Sequence, residues 1–321
     1  MRIVAAGFAL TFAFLSPVVP AQEYPAKSIR MVVPFAPGGT SDIIGRSLGQ
    51  KLSEAWKQPV ITDNRVGVAG SLGAANAAKS PPDGYTLLVG NVGPVAVNNS
   101  IYKSTGYDPL KDFTPITLAV TAPQILVVHP SVPAKSIKEF IALVRAHKGK
   151  ITFGSSGPGS ISHLSGELFK RMTKTDMLHV PFKASAFITT AVLGGEIDVV
   201  FSDMAVVLPH VQASRLRALA VTGLKPTPLV PGLPSLAESG VPGFNMTSWW
   251  GILGPAGIPQ PVVTRLNTEL GRILRLADVQ KTFATLGVDA TTSTPEEFAS
   301  FIKTEVAKYT KLINELGIEK Q

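Results

Sequence analysis

Short apolar runs of strand length alternate with amphipathic segments along most of this 321-residue chain. Residues 29–35 form a mostly apolar run, and after the next loop an apolar side chain recurs at every fourth position, which is the spacing of one helix face. That face consists of Ile44, Leu48, Leu52 and Trp56. Two further short runs, at 59–62 and 85–89, follow. The pattern predicts a βαβαβ unit with a mostly parallel sheet covered by helices.

A second unit of the same kind begins near Ile125. Its predicted strands are 126–128, 151–155, 179–182, 197–201 and 216–221. Between them, Ser136 and Glu139 have the spacing of a capping box, and the pair Gly194-Gly195 is typical of a helix C-terminus. The pattern therefore predicts two α/β units, each with its own core.

The C-terminal part is predicted to return to the first unit. Residues 225–244 are rich in proline and glycine and predict a long surface connection. Two amphipathic helices follow, one starting near Pro259 and one capped by Thr294, and we expect them to cover the first sheet. The expected architecture is two α/β domains around a ligand cleft, joined by a two-crossing hinge. Domain 1 is predicted to comprise 22–122 plus 248–321, and domain 2 to comprise 123–247.

The N-terminus has the pattern of a secretory signal peptide. Arg2 precedes an apolar run at 3–15, and small or β-branched residues lead to a predicted cleavage site after Ala21. A membrane anchor is the alternative, but the run is short for the ~30 Å of hydrocarbon in a bilayer. We expect residues 1–21 to be removed and the mature protein to be soluble and to work outside the cytoplasm, in the periplasm.

Composition removes several classes of function. Cysteine is absent, which excludes disulfides, thiolate metal sites and cysteine nucleophiles. The formal net charge is +8, but the basic residues are scattered, without a dense run interleaved with aromatic residues, so nucleic-acid binding is not predicted. The positive charge either attracts an anionic small molecule or serves solubility alone.

A glycine-containing loop at 37–42 joins the first predicted strand to the first helix. Its glycines let backbone N–H groups approach a ligand closely, and the helix N-terminus adds a partial positive charge, which together suit a carboxylate or phosphate. We expect Asp42 to act as the N-cap and an anion to use the amides of 38–41; the alternative is a tight turn that binds nothing. The candidate ligand-binding residues here are Phe35, Gly38, Gly39, Thr40, Ser41 and Asp42.

A second loop, at 154–160, has the same context in the second unit. Ser160 is the expected N-cap of the helix that carries His163, and two loops facing each other across a cleft could hold both ends of a small dicarboxylate. The candidates are Ser155, Ser156, Gly157 and Ser160. Weaker candidates follow other strands, at the strand ends where ligands bind in open α/β sheets. These are Asn91, Lys183, Ala184, Ser185, Ser202 and Asp203.

Signatures of enzymes and cofactor sites are incomplete. Pro158 occupies the position of the last glycine of a G-x-S-x-G motif, and the five histidines are dispersed without metal-ligand spacing. Gly38-Gly39 followed by Asp63 imitates a dinucleotide fold, but the third glycine of that motif is missing. We therefore expect no cofactor, no metal and no catalysis.

Several blocks along the chain resemble the Bug family, the extracytoplasmic solute receptors of tripartite tricarboxylate transporters. The blocks are IRMVVPFAPGG at 29–39 with Asp42, DNR at 63–65, PDGYTLL at 82–88, HVPFK at 179–183, LGGEID at 193–198, LRALAV at 216–221, ESGVPGF at 238–244 and Trp250-Gly251. They cover essentially the whole mature chain, in order. Two departures stand out: Lys183-Ala184-Ser185 replaces the Lys-Gly-then-Pro run usual in the family, and Lys57-Gln58-Pro59 replaces Gly-Gln-Pro.

The resemblance implies a periplasmic-binding-protein fold that closes on a small organic carboxylate. It also implies delivery of that ligand to a two-subunit membrane permease by a monomeric receptor. A ligand-sensing subunit for a membrane signalling protein is an alternative. A periplasmic hydrolase using Ser155, Ser156 or Ser160 is a further one. The identity of the acid stays open, as does the question of which of Trp249 and Trp250 faces the cleft.

Overall fold

A computed structural model describes residues 24–182 and 185–320 of the chain, without the side chains of 185 and 186. The predicted signal peptide and its cleavage site after Ala21 lie outside the described residues, as do Lys183 and Ala184. Throughout the described ranges, no helix combines the length and the apolar character needed to cross a membrane.

The structure is a mixed α/β fold, as predicted. Its helices are α1 (Thr40–Trp56), α2 (Ser71–Ala78), α3 (Asn98–Ile101), α4 (Ile137–Ala146), α5 (Ile161–Thr173), α6 (Ser185–Leu193), α7 (Met204–Gln212), α8 (Gln260–Leu274), α9 (Ala277–Thr285) and α10 (Pro295–Leu316). Its strands are β1 (Ile29–Val33), β2 (Val60–Asn64), β3 (Thr86–Asn91), β4 (Phe113–Val128), β5 (Thr152–Ser155), β6 (Leu178–Pro181), β7 (Val199–Asp203), β8 (Arg217–Val221), β9 (Thr247–Pro255) and β10 (Asp289–Ala290). A 3-10 turn (Val68–Gly70) precedes α2, and a π-helical turn (Gly93–Val97) follows β3.

Eight of the ten strands form one continuous path in the order β2-β1-β3-β9-β4-β7-β5-β6, and β8 and β10 each pair with β4. The outer strands pair in parallel, β1 with β2 and β3, and β5 with β6 and β7. The central strands β4 and β9 pair antiparallel with their neighbours. The sheet is therefore mixed rather than mostly parallel, because two long strands that the sequence pattern did not reveal join the two predicted units.

Strand β4 belongs to two pairing blocks. Its residues 113–123 pair with β9, whereas its residues 124–128 pair with β7 and β8. We call the strands on the β9 side the first half of the sheet and those on the β7 side the second half. The predicted domain limits at 122/123 and 247/248 lie close to this change of partner but stay a prediction.

Each face of the sheet carries its own core. Because successive side chains of a strand point to opposite faces, Val32 belongs to one apolar cluster while Met31 and Val33 belong to the other. Leu126 of β4 likewise separates from Ile125 and Val127. Both faces are thus closed to water, and the polar groups concentrate at the strand ends.

The C-terminal helices pack on the first half of the sheet, as expected. Thr294 and Glu297 form the predicted capping box at the start of α10, whose Phe298 packs edge-on against Trp249. The chain closes with three helices rather than two, since α9 lies between α8 and α10. The 225–244 connection is not merely superficial, because Leu236 and Phe244 are fully buried in the core.

Two helix caps predicted from the sequence, the N-cap at Ser136 and the glycine C-terminus at 194–195, are both found in the structure, the first with a change of partner. Ser136 accepts the Glu139 N–H as predicted, but the Glu139 carboxylate reaches back to the N–H of Lys135 instead of that of Ser136, so the capping box is displaced by one residue. Gly195 adopts φ 71° after α6, which confirms the predicted glycine C-terminus there.

Candidate ligand-binding site

A cavity lies where the two halves of the sheet meet, at the ends of β1, β3 and β7 and the start of β9. Its lining comes from both halves and mixes apolar walls with hydroxyl, amide and backbone groups. The lining residues are Phe35, Ala36, Pro37, Gly39, Thr40, Ser41, Ala69, Asn91, Val92, Gly93, Ser156, Ser160, Ile161, Asp203, Ser248, Trp249 and Trp250. Apolar walls with a few convergent polar groups are typical of small-molecule sites.

The structure brings together about half of the candidate residues. Those that line the cavity are Phe35, Gly39, Thr40, Ser41, Asn91, Ser156, Ser160 and Asp203. Those absent from the lining are Gly38, Asp42, Ser155, Gly157 and Ser202. Lys183 and Ala184 lie outside the described residues, as does the side chain of Ser185. Ser248, Trp249 and Trp250 join the site without having been proposed from the sequence as contacts. Ligand contact itself stays a prediction for every one of them.

Asp42 is not the N-cap of α1, because the helix begins two residues earlier, at Thr40, with Gly39 in the cap position. The Asp42 carboxylate instead accepts hydrogen bonds from the Gly38 N–H at 3.0 Å, from Arg46 Nε at 3.0 Å and from Asn64 Nδ2 at 2.9 Å. Burial opposes its ionisation, but these hydrogen bonds hold the pKa of the carboxyl below its usual value. The Gly38 amide is consequently occupied and does not serve a ligand.

The next three amides form the cradle, by which we mean the backbone N–H groups of Gly39, Thr40 and Ser41. Within the described residues none of them donates a hydrogen bond. They are orphan donors of a helix N-terminus, and they border the cavity. Such a group of donors, with the positive end of the helix dipole behind it, favours a carboxylate or phosphate without a cationic side chain.

The second loop differs from the first, because its own amides already have partners. Ser156 N donates to Ser162 Oγ, and Gly159 N donates to His163 Nδ1, each at 3.2 Å. Ser160 caps α5 as predicted, accepting the His163 N–H at 3.3 Å. The same sequence context therefore does not give the same set of unpaired backbone donors at 156–160. This loop contributes the hydroxyl groups of Ser156 and Ser160 instead.

Ser155 lies behind this loop and is fully buried. Its Oγ is 2.5 Å from His179 Nε2, and the His179 ring stacks on His163 with centroids 4.3 Å apart and on Phe153 at 4.9 Å. Burial lowers the pKa of His163 to about 4, and burial with the neighbouring His163 lowers that of His179 to about 4. The serine–histidine pair thus belongs to a neutral internal stack and not to the cavity wall.

Two adjacent tryptophans, Trp249 and Trp250, both line the cavity. Trp250 Nε1 donates to Ser41 Oγ at 3.0 Å, and Trp249 Nε1 donates to the buried Glu305 Oε2 at 2.9 Å. Asn91 Nδ2 lies 3.5 Å from the same Ser41 oxygen. Because Ser41 Oγ accepts from the indole, its own proton is free to point towards a ligand.

Asp203 supplies a carboxyl group to the cavity. It occupies the N-cap position of α7 yet makes no side-chain cap; its Oδ1 accepts from Ser248 Oγ at 2.8 Å and its Oδ2 from Thr40 Oγ1 at 3.3 Å. Burial raises the pKa of this carboxyl, and the hydrogen bonds oppose that rise only in part. A residue that forgoes capping to face a cavity is the kind of local exception that marks functional sites.

Metal binding finds no support in the described part of the chain, where no group of three or more His, Asp or Glu side chains is placed to hold an ion. The backbone amides, hydroxyl groups and indole surfaces of the lining suit an organic ligand.

The chain is similar to known proteins over most of its length. The family model described as "Tripartite tricarboxylate transporter family receptor" matches residues 44–318. Protein BugT of Bordetella pertussis is 33% identical over 97% of this chain and 96% of its own length.

Two solved structures share the fold over nearly the whole chain. That of Rpa4515 from R. palustris with adipate has a TM-score of 0.90 and 34% identity, covering 93% of this chain and 100% of the other. That of MatC (Rpa3494) from Rhodopseudomonas palustris with bound malate has a TM-score of 0.85 and 29% identity, covering 90% and 100%. These matches confirm the periplasmic-binding-protein-like fold, and the chain belongs to the family of tripartite tricarboxylate transporter receptors, which includes the Bug proteins.

Proposed function

We propose that this protein is a periplasmic receptor that captures a small organic carboxylate for uptake by a tripartite tricarboxylate transporter. The observation that carries the proposal is the cradle, where three consecutive unpaired backbone N–H groups, at 39–41, open into a cavity shared by both halves of the sheet. A carboxylate bound there satisfies the orphan donors of α1.

The ligand class follows from the chemistry of the lining. The lining around the cradle combines hydroxyl groups, the Asn91 amide and the Asp203 carboxyl with aliphatic and aromatic surfaces, which suits a short carbon skeleton with few polar substituents. The bound adipate of one relative and the bound malate of another agree with this class. Terminal carboxylates of this size are the ligands we expect.

The partner and the location are those of the family. We infer export by a signal peptide cleaved after Ala21, and action as a monomer that hands its ligand to a two-subunit membrane permease. The family match supports this role. Peptide mass analysis of the secreted protein tests the cleavage site, and uptake of a labelled ligand with and without the permease genes tests the partner.

We infer that the ligand is bound and not chemically altered. In the described part of the second loop, Ser155 is the serine whose hydroxyl lies at hydrogen-bond distance from a histidine ring. Ser160 contacts a histidine only as the cap of α5, through a backbone N–H. Ser155 is fully buried and does not line the cavity. A nucleophile must approach its substrate closely, and Ser155 has no exposed surface through which to do so. Ser156 and Ser160 border the cavity but serve as hydrogen-bonding groups.

Isothermal titration of the exported, ligand-stripped protein tests the proposal. The panel comprises adipate, malate, citrate, glutamate and benzoate. We expect one-to-one micromolar or tighter binding of at least one acid, abolished by Gly39→Leu, which fills the cradle. Ala256→Leu, at an exposed turn remote from the cavity, is the control and should bind normally. A folded protein that binds none of these acids would overturn the proposal.

A further inference from the structure

The cradle and the Asp203 carboxyl share one residue, Thr40. The backbone N–H of Thr40 is one of the three unpaired donors, while its Oγ1 donates to Asp203 Oδ2 at 3.3 Å. A carboxylate held by the cradle, which rests on the proposed function, therefore lies beside the carboxyl of Asp203. Two carboxyl groups are therefore brought together by the same residue.

The cavity wall offers no compensating cation among the described residues. Asp203 is the one lining side chain there that can carry a charge, and its hydrogen-bond partners, Thr40 and Ser248, are neutral hydroxyl groups. Gln124, which pairs with Asp203 across β4 and β7, is also neutral. Within the part of the lining that the structure describes, the repulsion from a second negative charge therefore acts between Asp203 and the ligand.

Three titratable groups on the surrounding helices are paired or neutral. On α1, Asp42 is bound by Arg46 at 3.0 Å. On α10, Glu305 is paired with Lys308 at 3.1 Å. On α5, the pKa of His163 is lowered to about 4 by burial, so its imidazole is neutral near pH 7. The N-terminus of α7 favours an ionised Asp203. The energy of this stabilisation is several-fold smaller than the repulsion energy between two adjacent carboxylates.

We propose that Asp203 takes up a proton when an anionic ligand enters the cavity, so that ligand binding by this receptor is coupled to protonation of this carboxyl. Two carboxyl groups that share a site resolve their repulsion by holding one proton between them. The proton comes from the solvent and returns there on release. Burial, which already raises the pKa of Asp203 in the free protein, acts in the same direction. The protonated group also gains an O–H that can donate to the ligand.

Calorimetry in buffers of different ionisation enthalpy measures this proton directly. Adipate and malate are titrated at pH 7 into the wild-type protein and into Asp203→Asn. We expect the wild type to take up as much as one proton per ligand and the variant to take up none. The wild-type affinity should fall by as much as tenfold per pH unit above the pKa of free Asp203, because deprotonation then opposes binding, whereas the variant should have a flat profile.

Asp289→Asn is the matched control. Burial raises the pKa of Asp289 too, but this residue lies on β10 and not in the cavity lining, so its variant should keep the wild-type proton uptake. Should Asp203→Asn fail to fold, carbon-13 NMR of labelled aspartate in the wild type gives a second reading. One carboxyl should then show a higher pKa in the presence of ligand.

Each contrary result has a distinct meaning. Wild-type binding without proton exchange overturns the inference and leaves the receptor function intact. Proton uptake that persists in Asp203→Asn places the proton on the ligand and also overturns it. A wild type that binds neither adipate, malate nor any other acid of the panel overturns the proposed function, and this inference falls with it.

Discussion

Thr40 Oγ1 lies 3.3 Å from Asp203 Oδ2, although 163 residues separate the two along the chain. Thr40 opens α1 beside the first half of the sheet, and Asp203 ends β7 in the second half. Ser248, at the start of β9, holds the other carboxyl oxygen at 2.8 Å. One side chain therefore ties both halves together at the edge of the cavity, where a hinge motion would open or close it.

Removal of the Thr40 hydroxyl should weaken ligand binding. Thr40→Val keeps the shape of the side chain but leaves one oxygen of Asp203 without its donor. A hydrogen bond between uncharged groups contributes about 1.5 kcal/mol at the upper end of its range, which is about tenfold in affinity. Titration calorimetry measures the loss, and small-angle scattering should show a larger radius of gyration. Thr40→Ser retains the hydroxyl and is the control; equal affinities of the two variants would contradict a role for this contact.

Trp250 and Ser41 should be coupled in stability. Ser41→Ala leaves the indole N–H of Trp250 buried without an acceptor, a situation that costs about 1–3 kcal/mol. In a Trp250→Phe background the same substitution should cost less, because no donor is left unpaired. Urea denaturation of the two single variants and the double variant gives the coupling energy. Strictly additive effects would mean that the 3.0 Å contact does not stabilise the fold.

Several helices and caps were predictable because their signals are local. The four-residue spacing of Ile44 and Leu48 and the Thr294 capping box depend only on neighbours in sequence, and the structure confirms both. Strand β9 and most of β4 were missed for the opposite reason. Residues 113–123 include Pro115 and Pro123, which demote a strand prediction, and their extended form depends on pairing with residues more than a hundred positions away.

The candidate site was likewise predictable from the sequence only where its signals are local. The strand–loop–helix pattern identified the segment that carries the cradle, but it misplaced the start of α1 and so gave Asp42 the wrong role. Ser248 carried no local signal, since its contact with Asp203 exists only because β9 returns to the sheet. Asp203 was found as a strand-end residue, yet its pairing with Thr40 across the cavity required the tertiary structure.

Two helical glycines should respond to alanine in opposite ways. A Cβ at Gly166 of α5 would lie 2.3 Å from the Phe153 ring, so Gly166→Ala forces a shift in the core and should destabilise the protein by about 1–3 kcal/mol. At Gly271 of α8 the nearest atom is the flexible Arg275 Nη1 at 3.5 Å. Gly271→Ala should therefore stabilise the protein by as much as ~1 kcal/mol through helix propensity. Urea midpoints report both, and similar shifts of the same sign would refute the packing argument.

The stacked histidines should make stability depend on pH below neutrality. Burial lowers the pKa of His163 from 6.5 to about 4, so the unfolded chain binds a proton in a range where the folded protein does not. This contribution is fully present above pH 6.5 and is lost as the pH falls towards 4. By linkage it amounts to ~3 kcal/mol for a group as buried as His163. His179 titrates as part of the same stack, so its contribution does not simply add.

Thermal unfolding between pH 7 and pH 4 measures the effect, and His163→Asn isolates it. The asparagine oxygen can still accept the Gly159 N–H that His163 Nδ1 accepts at 3.2 Å, so the loop keeps its hydrogen bond while the titrating ring is gone. The variant should lose less stability than the wild type over this range, since one fewer group binds protons on unfolding. His147→Asn, at an exposed position, should follow the wild-type curve. If the wild type and both variants lose stability in parallel as the pH falls, the acid sensitivity arises from carboxyl groups elsewhere and not from the stacked rings of His163 and His179.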